Sequence, residues 1–267
     1  HEVKLKEVAS FFKTYVNLDS RTQLCPVRLS NHYHMGGIPT NAFGEVQGSA
    51  GQIVPGLFAV GECACASFHG FNRLGTNSLL ELLTMGRYVG ERVESYLSEK
   101  QVSPPKGAGE ASLARFSSYL AGAGKENVGR VRLDMRDMMT RKVGVFRHEK
   151  GVGEAIQELL TFKERAEKTS VSVRDARWNQ ELLERWELDN LLDNAMTIAQ
   201  GALLRKESRG AHFREDYPVR SDDFQYHTLV SMTEFGKVTF GKRLIDMSLF
   251  EAKGEYSEHF KIIPRKY

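Results

Sequence analysis

The sequence predicts an α/β layer over residues 1–104, an all-α helical bundle over 105–206, and an irregular C-terminal tail with short strands over 207–267. Three observations predict it. Residues 1–100 are rich in glycine and carry short apolar runs such as IVPGLFAV, the pattern of strands and tight turns. Past EKQVSPPKGAGEA at 99–111, a polar stretch that reads as a linker, glycines thin out and apolar residues recur at helical spacing. After residue 206 that periodicity fades into SRGAHFREDYPVRSDDF, and then into strand-like KVTF and RLIDMSLFEAK.

Composition narrows the function. The 267 residues are 41% hydrophobic and 27% charged, enough apolar mass for one large core or two smaller ones. No apolar run reaches the roughly 18 residues of a membrane span, and HEVKLKEVAS lacks the basic start and apolar centre of a secretory signal, so a soluble, cytoplasmic chain without a direct membrane span is expected. A net charge of +3, with acids and bases interspersed, argues against a nucleic-acid partner. Three cysteines, an odd number, suit a reducing compartment. Cys63 and Cys65 stand as C-A-C rather than in the paired CxxC of a zinc site, so no metal is expected.

In NHYHMGGIPTN, residues 31–41, Gly36 and Gly37 permit backbone conformations closed to other residues and let the loop approach a planar ligand. His32 and His34 lie two apart and share a face only if this segment is a strand. GLFAVGE, residues 56–62, reads as a strand stopping on Gly61 and Glu62, and ligands gather where strands of open α/β sheets end. An acid there can accept hydrogen bonds from sugar-like hydroxyls, although a solvated loop glutamate has the same spacing. Asn77 and Ser78 open an apolar helix with Leu79, Leu82, Leu83, Val89 and Val93 on one face, and with Gly86 and Gly90 allowing close packing. Its N-terminus offers unpaired N–H groups and about half a positive charge. Arg73, just ahead, adds a forked set of donors suited to a carboxylate, or else forms a structural ion pair. Further on, Val128, Val131, Met135, Met138 and Met139 form one stripe, and Leu182, Leu183, Trp186, Leu188, Leu191 and Leu192 another; three packed helices with methionines filling gaps is the expected arrangement.

HYHMGGIPTN, PGLFAVGECACASFHGFNRLGTNSLLELLTMGR and ESRGAHFREDYPVRSDD, in that order, resemble the flavoprotein subunit of succinate dehydrogenase and fumarate reductase, and the likeness extends to the closing PRKY. It is to the C-terminal part of that subunit: the family's GxGxxG fold, its flavin-anchoring histidine and its capping domain do not occur in this sequence. The resemblance implies a partial FAD-binding fold, FAD as cofactor, and interconversion of succinate and fumarate by hydride exchange at flavin N5. It implies that His32 and Arg73 grip the dicarboxylate, that Gly61 and Glu62 meet the flavin's ribityl chain, and that Asn77, Ser78 and Leu79 present the helix start to the isoalloxazine. It also implies an iron–sulfur partner subunit and membrane-anchor subunits at the cytoplasmic face of the inner membrane, and a segment inactive in isolation. Thr76 stands where the family has alanine or glycine, and Phe71 where alanine is common. Two other readings stay open: an L-aspartate oxidase, which shares HGxNR and NSLLE but carries cysteine where Met35 precedes Gly36, and a docking module for the iron–sulfur subunit alone.

Overall fold

The computed structural model describes residues 5–27, 31–100 and 103–246. The closing PRKY and most of RLIDMSLFEAK lie outside the described residues. The chain divides into two compact units, residues 1–32 and 33–267.

The first unit carries α1, Lys6–Phe11, which runs into a single π turn, Phe12–Val16, and stops at Asn17 in the left-handed region (φ 55°). The glycine-rich pattern expected of residues 1–100 therefore does not govern the first of them. Positions 1–30 contain no glycine, and Phe11 and Tyr15, one turn apart, pack their rings at 4.9 Å.

The second unit begins with short strands: β1, Ile38–Pro39; β2, Glu45–Gln47; β3, Ile53–Phe58; and β4, Ala64–Cys65. They form two-stranded pairs, β1 with β4 parallel and β2 with β3 antiparallel. The expected strand ending on Gly61 and Glu62 stops earlier, at Phe58; Gly61–Cys63 is a 3-10 turn, with Gly61 at φ 80°. A β-carbon at Gly61 would lie 2.7 Å from Leu82 Cδ2, so this turn needs glycine to pack against α2.

Helix α2, Asn77–Glu99, begins after Thr76, whose φ of 73° places a β-branched residue in left-handed backbone. A glycine at this position would adopt that φ freely, so Thr76 carries strain of about 1 kcal/mol or more. The face expected to be buried is largely open. Val89 is buried, but Leu79, Leu82 and Leu83 are exposed, and nothing lies within 4 Å of a β-carbon built at Gly86 or Gly90. Apolar periodicity identified the helix correctly, but it cannot say which stripe the rest of the unit covers.

Helices α3, Glu110–Ala121; α4, Val128–Lys142; α5, Glu149–Glu167; and α6, Gln180–Leu204 follow. Three of their starts are fixed by side chains: Asn127, His148 and Asn179 accept the N–H groups of Arg130, Gly151 and Leu182 at 2.9 to 3.0 Å. The core joins α4, α5 and α6. Val131, Leu159, Leu188, Leu192 and Met196 are fully buried, Met135 and Met138 nearly so, and each large apolar side chain contributes about 1.5–3 kcal/mol. Met139 and Leu191 pack at the edge of this core. Leu183 and Trp186, expected inside, are exposed; Trp186 instead rests on Phe116 of α3 at 5.7 Å. Beside the apolar core, Asp189 of α6 gathers Arg115, Tyr119, Lys163 and Arg185. Burial alone would raise its pKa; the Tyr119 hydroxyl and the surrounding cations overcome that and hold the carboxyl well below the usual range.

The tail is more regular than expected. β5, Phe146–Arg147, pairs in parallel with β6, Phe213–Arg214. β7, Tyr226–Glu234, and β8, Lys237–Leu244, form a long antiparallel hairpin closed at Gly236 (φ 82°). His212 is buried beside β6. Its Nδ1 faces the Arg147 guanidinium at 2.8 Å and its Nε2 faces the Arg205 carbonyl at 3.0 Å, an arrangement that fits a neutral ring. Burial, reinforced by those arginines, lowers its pKa to about 4. The unfolded chain binds this proton near pH 6.5, so stability present above pH 6.5 should fall as pH drops towards 4. The melting temperature of the full-length protein should fall between pH 7 and pH 5, and a His212→Gln variant should lose part of that dependence. An unchanged slope in that variant would remove His212 as its source.

Candidate flavin and carboxylate site

Parallel pairing of β1 with β4 lays residues 33–41 against the 61–65 turn. Gly36 and Gly37 have φ of 118° and 128°, and a β-carbon at Gly37 would sit 2.4 Å from the Cys63 carbonyl oxygen. Close approach is thus required here, and what it accommodates within the chain is the backbone of Cys63. From the same loop, the His34 N–H donates to Glu62 Oε1 at 3.2 Å. That leaves the exposed Glu62 carboxylate a second oxygen with no described partner. The His34 ring, given no role from sequence, is pushed towards its neutral form by desolvation, with Glu62 opposing and Arg147 assisting.

At the start of α2 the first N–H groups are partly spent. Asn77 donates to the Leu74 carbonyl at 3.2 Å, and Leu79 to the Thr76 carbonyl at 3.0 Å, which closes a tight turn. The Ser78 N–H has no acceptor among the described residues, and it sits where the helix dipole is positive.

Arg73 lies four residues ahead of this helix, half-buried, with its guanidinium 4.8 Å from the centre of the Tyr33 ring. It makes no hydrogen bond or ion pair with any described residue. The ring face holds the charge through its quadrupole and leaves the N–H fork unspent. Tyr33 is held in turn: its hydroxyl donates to Glu81 Oε2 at 3.3 Å, and His69 Nε2 meets the same oxygen at 2.7 Å. Burial first, and then Glu81, push the Tyr33 phenol up, so it remains a donor at neutral pH. His32, solvent-exposed, ends the first unit.

Tyr33, His69 and Glu81 were not singled out from sequence. Glu81 left a signal: it is the single charge within the apolar run LLELLTM. Its partners stand 48 and 12 residues away, so no spacing rule joins them.

The third sequence motif packs against Phe71, two residues before Arg73. The Ala211 N–H donates to the Phe71 carbonyl at 3.0 Å, Gly210 (φ 57°) leaves room for Phe71, and Arg205 stacks on the Phe71 ring at 4.6 Å. Phe71 is thus the platform on which the ESRGAH segment rests. Arg205 is paired with Glu207, which is fully buried.

The polar groups left over suit a flavin: a free N–H at a helix start and a carboxylate oxygen open to hydroxyls. Among the described residues no three His, Cys, Asp or Glu side chains converge as a metal site, and no helix is long and apolar enough to cross a membrane.

Comparison with known proteins places these elements in context. The family described as fumarate reductase flavoprotein C-term matches residues 132–267, and an FAD-binding domain family matches residues 3–79. The succinate dehydrogenase flavoprotein subunit of Rickettsia bellii is 36% identical over 98% of this chain and 44% of its own length. The fumarate reductase flavoprotein subunit of Helicobacter pylori is 40% identical over 74% of this chain and 28% of its own. Among solved structures, a variant of E. coli quinol fumarate reductase FrdA superposes with a TM-score of 0.81 at 33% identity, covering 92% of this chain and 43% of that one. The chain therefore spans less than half the length of the relatives it matches.

Proposed function

Because the chain belongs to the succinate dehydrogenase and fumarate reductase flavoprotein family, whose cofactor is FAD, we propose that it is the C-terminal part of a flavoenzyme interconverting succinate and fumarate by hydride transfer at flavin N5. In this reading residues 1–104 are the C-terminal part of the FAD and dicarboxylate domain, 105–206 a helical domain, and 207–267 the closing tail. The observation that carries it is Arg73, a guanidinium seated on an aromatic face with every N–H unspent, four residues before a helix start whose Ser78 N–H is also free.

Bound FAD supplies the hydride chemistry. Arg73 binds a substrate carboxylate through its fork, and a fixed charge there stabilises charge that builds on the carboxylate as the carbon reacts, typically about 3 kcal/mol per good donor. His32 is proposed to hold the dicarboxylate as well, on the strength of the family motif. Ser78 and Leu79, with Asn77, place the positive helix end at the flavin's pyrimidine edge. Gly61, whose tight turn packs against Leu82, would hold Glu62 at the cofactor, where Glu62 would accept from a ribityl hydroxyl. The same clamp serves both directions of the reaction. An iron–sulfur subunit is the proposed electron partner, with membrane-anchor subunits holding the assembly at the cytoplasmic face of the inner membrane.

Glu62→Ala in the full-length protein tests the cofactor side. Flavin per polypeptide, read from visible absorbance after gel filtration, should fall several-fold, and fumarate reduction by reduced viologen should fall in proportion to the flavin lost. Wild-type flavin content in that variant would take Glu62 out of the site. A full-length protein that binds flavin but reduces no fumarate would refute the assigned activity.

A further inference from the structure

Glu81 sits in the second helical turn of α2, 3% exposed, between neighbours Leu80 and Leu82 that face solvent. A carboxylate buried there is costly unless donors meet it, and two do, both on Oε2: His69 at 2.7 Å and the Tyr33 hydroxyl at 3.3 Å. The Tyr33 and His69 rings pack edge to face at 5.5 Å and 86°, and the Phe68 and His69 rings do so at 5.0 Å and 87°. The Tyr33 ring is therefore fixed along its long axis by Glu81 and braced by His69. One face is left for the Arg73 guanidinium at 4.8 Å.

The order of this chain matters chemically. An acid touching Arg73 would form an ion pair and occupy the fork that a ligand needs. Held one aromatic ring away, the same acid still attracts the guanidinium. By accepting the phenol proton's hydrogen bond it also makes the ring face more electron-rich, which strengthens the cation's seat. Arg73 has no other described partner to set its position.

We propose that Glu81 is a positioning residue for Arg73: acting through the Tyr33 hydroxyl, it fixes the aromatic face on which the guanidinium lies and keeps its donors free for a substrate carboxylate. The proposal rests on the reading of Arg73 as the carboxylate ligand. His69 completes the brace by binding the same Glu81 oxygen.

The test uses the full-length, flavin-loaded protein with malonate as the probe, its Kd read from the flavin difference spectrum, alongside steady-state fumarate reduction. Tyr33→Phe keeps the ring and deletes the donor; Glu81→Gln keeps the shape and deletes the charge. Each should weaken malonate binding roughly 10-fold and raise KM for fumarate by a similar factor, with kcat changing far less. The Tyr33→Phe/Glu81→Gln double variant should be no worse than the poorer single variant, because both cut the same link. Wild-type malonate affinity in Tyr33→Phe, or two effects that multiply in the double variant, would overturn the proposal. Should Glu81→Gln fail to hold flavin, the result for Tyr33→Phe decides alone. Arg73→Ala separates the premise from the inference. If it binds malonate as wild type does, Arg73 is not the carboxylate ligand. If it loses malonate while Tyr33→Phe and Glu81→Gln do not, only the positioning role fails.

Discussion

Arg73→Ala in the full-length flavoprotein should lower kcat/KM for fumarate by roughly 10²–10³-fold, the usual consequence of removing one charge-stabilising donor, while flavin content and melting temperature stay near wild type. The loss should be large because the guanidinium presents a planar, permanently charged fork that water cannot replace once the site closes on a dicarboxylate. The fold should tolerate the change because Arg73 has no described hydrogen-bond partner, so its removal strands no buried acid; only its contact with the Tyr33 face is lost. Arg73→Lys should fall between the two, since it restores a charge but not the fork. Near-normal turnover in Arg73→Ala would remove the residue from the site.

Glu207→Ala should be the most damaging change to stability, about 3–5 kcal/mol, with a fall in melting temperature of the order of 10 °C. Glu207 is fully buried. Its Oε1 accepts from Arg205 Nη1 at 2.8 Å and Arg209 Nε at 2.9 Å, and its Oε2 accepts from Arg209 Nη2 and the Ser221 N–H at 3.0 Å. Burial raises its pKa, and Arg209, Ser221 and Arg205 more than reverse that, so the acid is a stable anion. Deleting it leaves Arg205 buried among Phe71, Phe224 and Tyr226 with its carbonyl acceptors but no counter-charge. Such an orphaned guanidinium is expensive. Glu91→Ala is the control: its ion pair with Arg87 is exposed on both sides, and its loss should shift the melting temperature little. Comparable melting temperatures for the two variants would mean that the Glu207 network does not hold the tail to the bundle.

Legibility followed the range of the interaction. The bundle could be read because helical stripes are local: Val128, Val131, Met135 and Met138 recur on one face, and all four are buried. The stretch 99–111, read as a linker, takes in the last residue of α2, Glu99, and the first two of α3, Glu110 and Ala111. Arg73 stood out because an arginine in a glycine-flanked turn before a helix has few structural uses. Burial of a particular stripe was not legible, because Leu79, Leu82, Leu83, Leu183 and Trp186 fit an apolar face equally well whether or not another element covers it. Most of β8 was legible in KVTF and the RL that follows, but its partner β7 was missed because its half-buried faces lack clean alternation. The Tyr33, His69 and Glu81 brace was missed because it is assembled from three segments that only the β1–β4 pairing and the start of α2 bring together.

The central claim is that Arg73 keeps its donors for a substrate carboxylate. A crystal structure of the full-length protein with FAD and malonate tests it most directly. The account predicts the Arg73 guanidinium within hydrogen-bond distance of a malonate carboxylate, still seated on the Tyr33 ring, with the flavin's pyrimidine edge at the Ser78 N–H. A malonate bound beside the flavin with Arg73 turned away from it, or tied to an acid of the protein, would contradict the account.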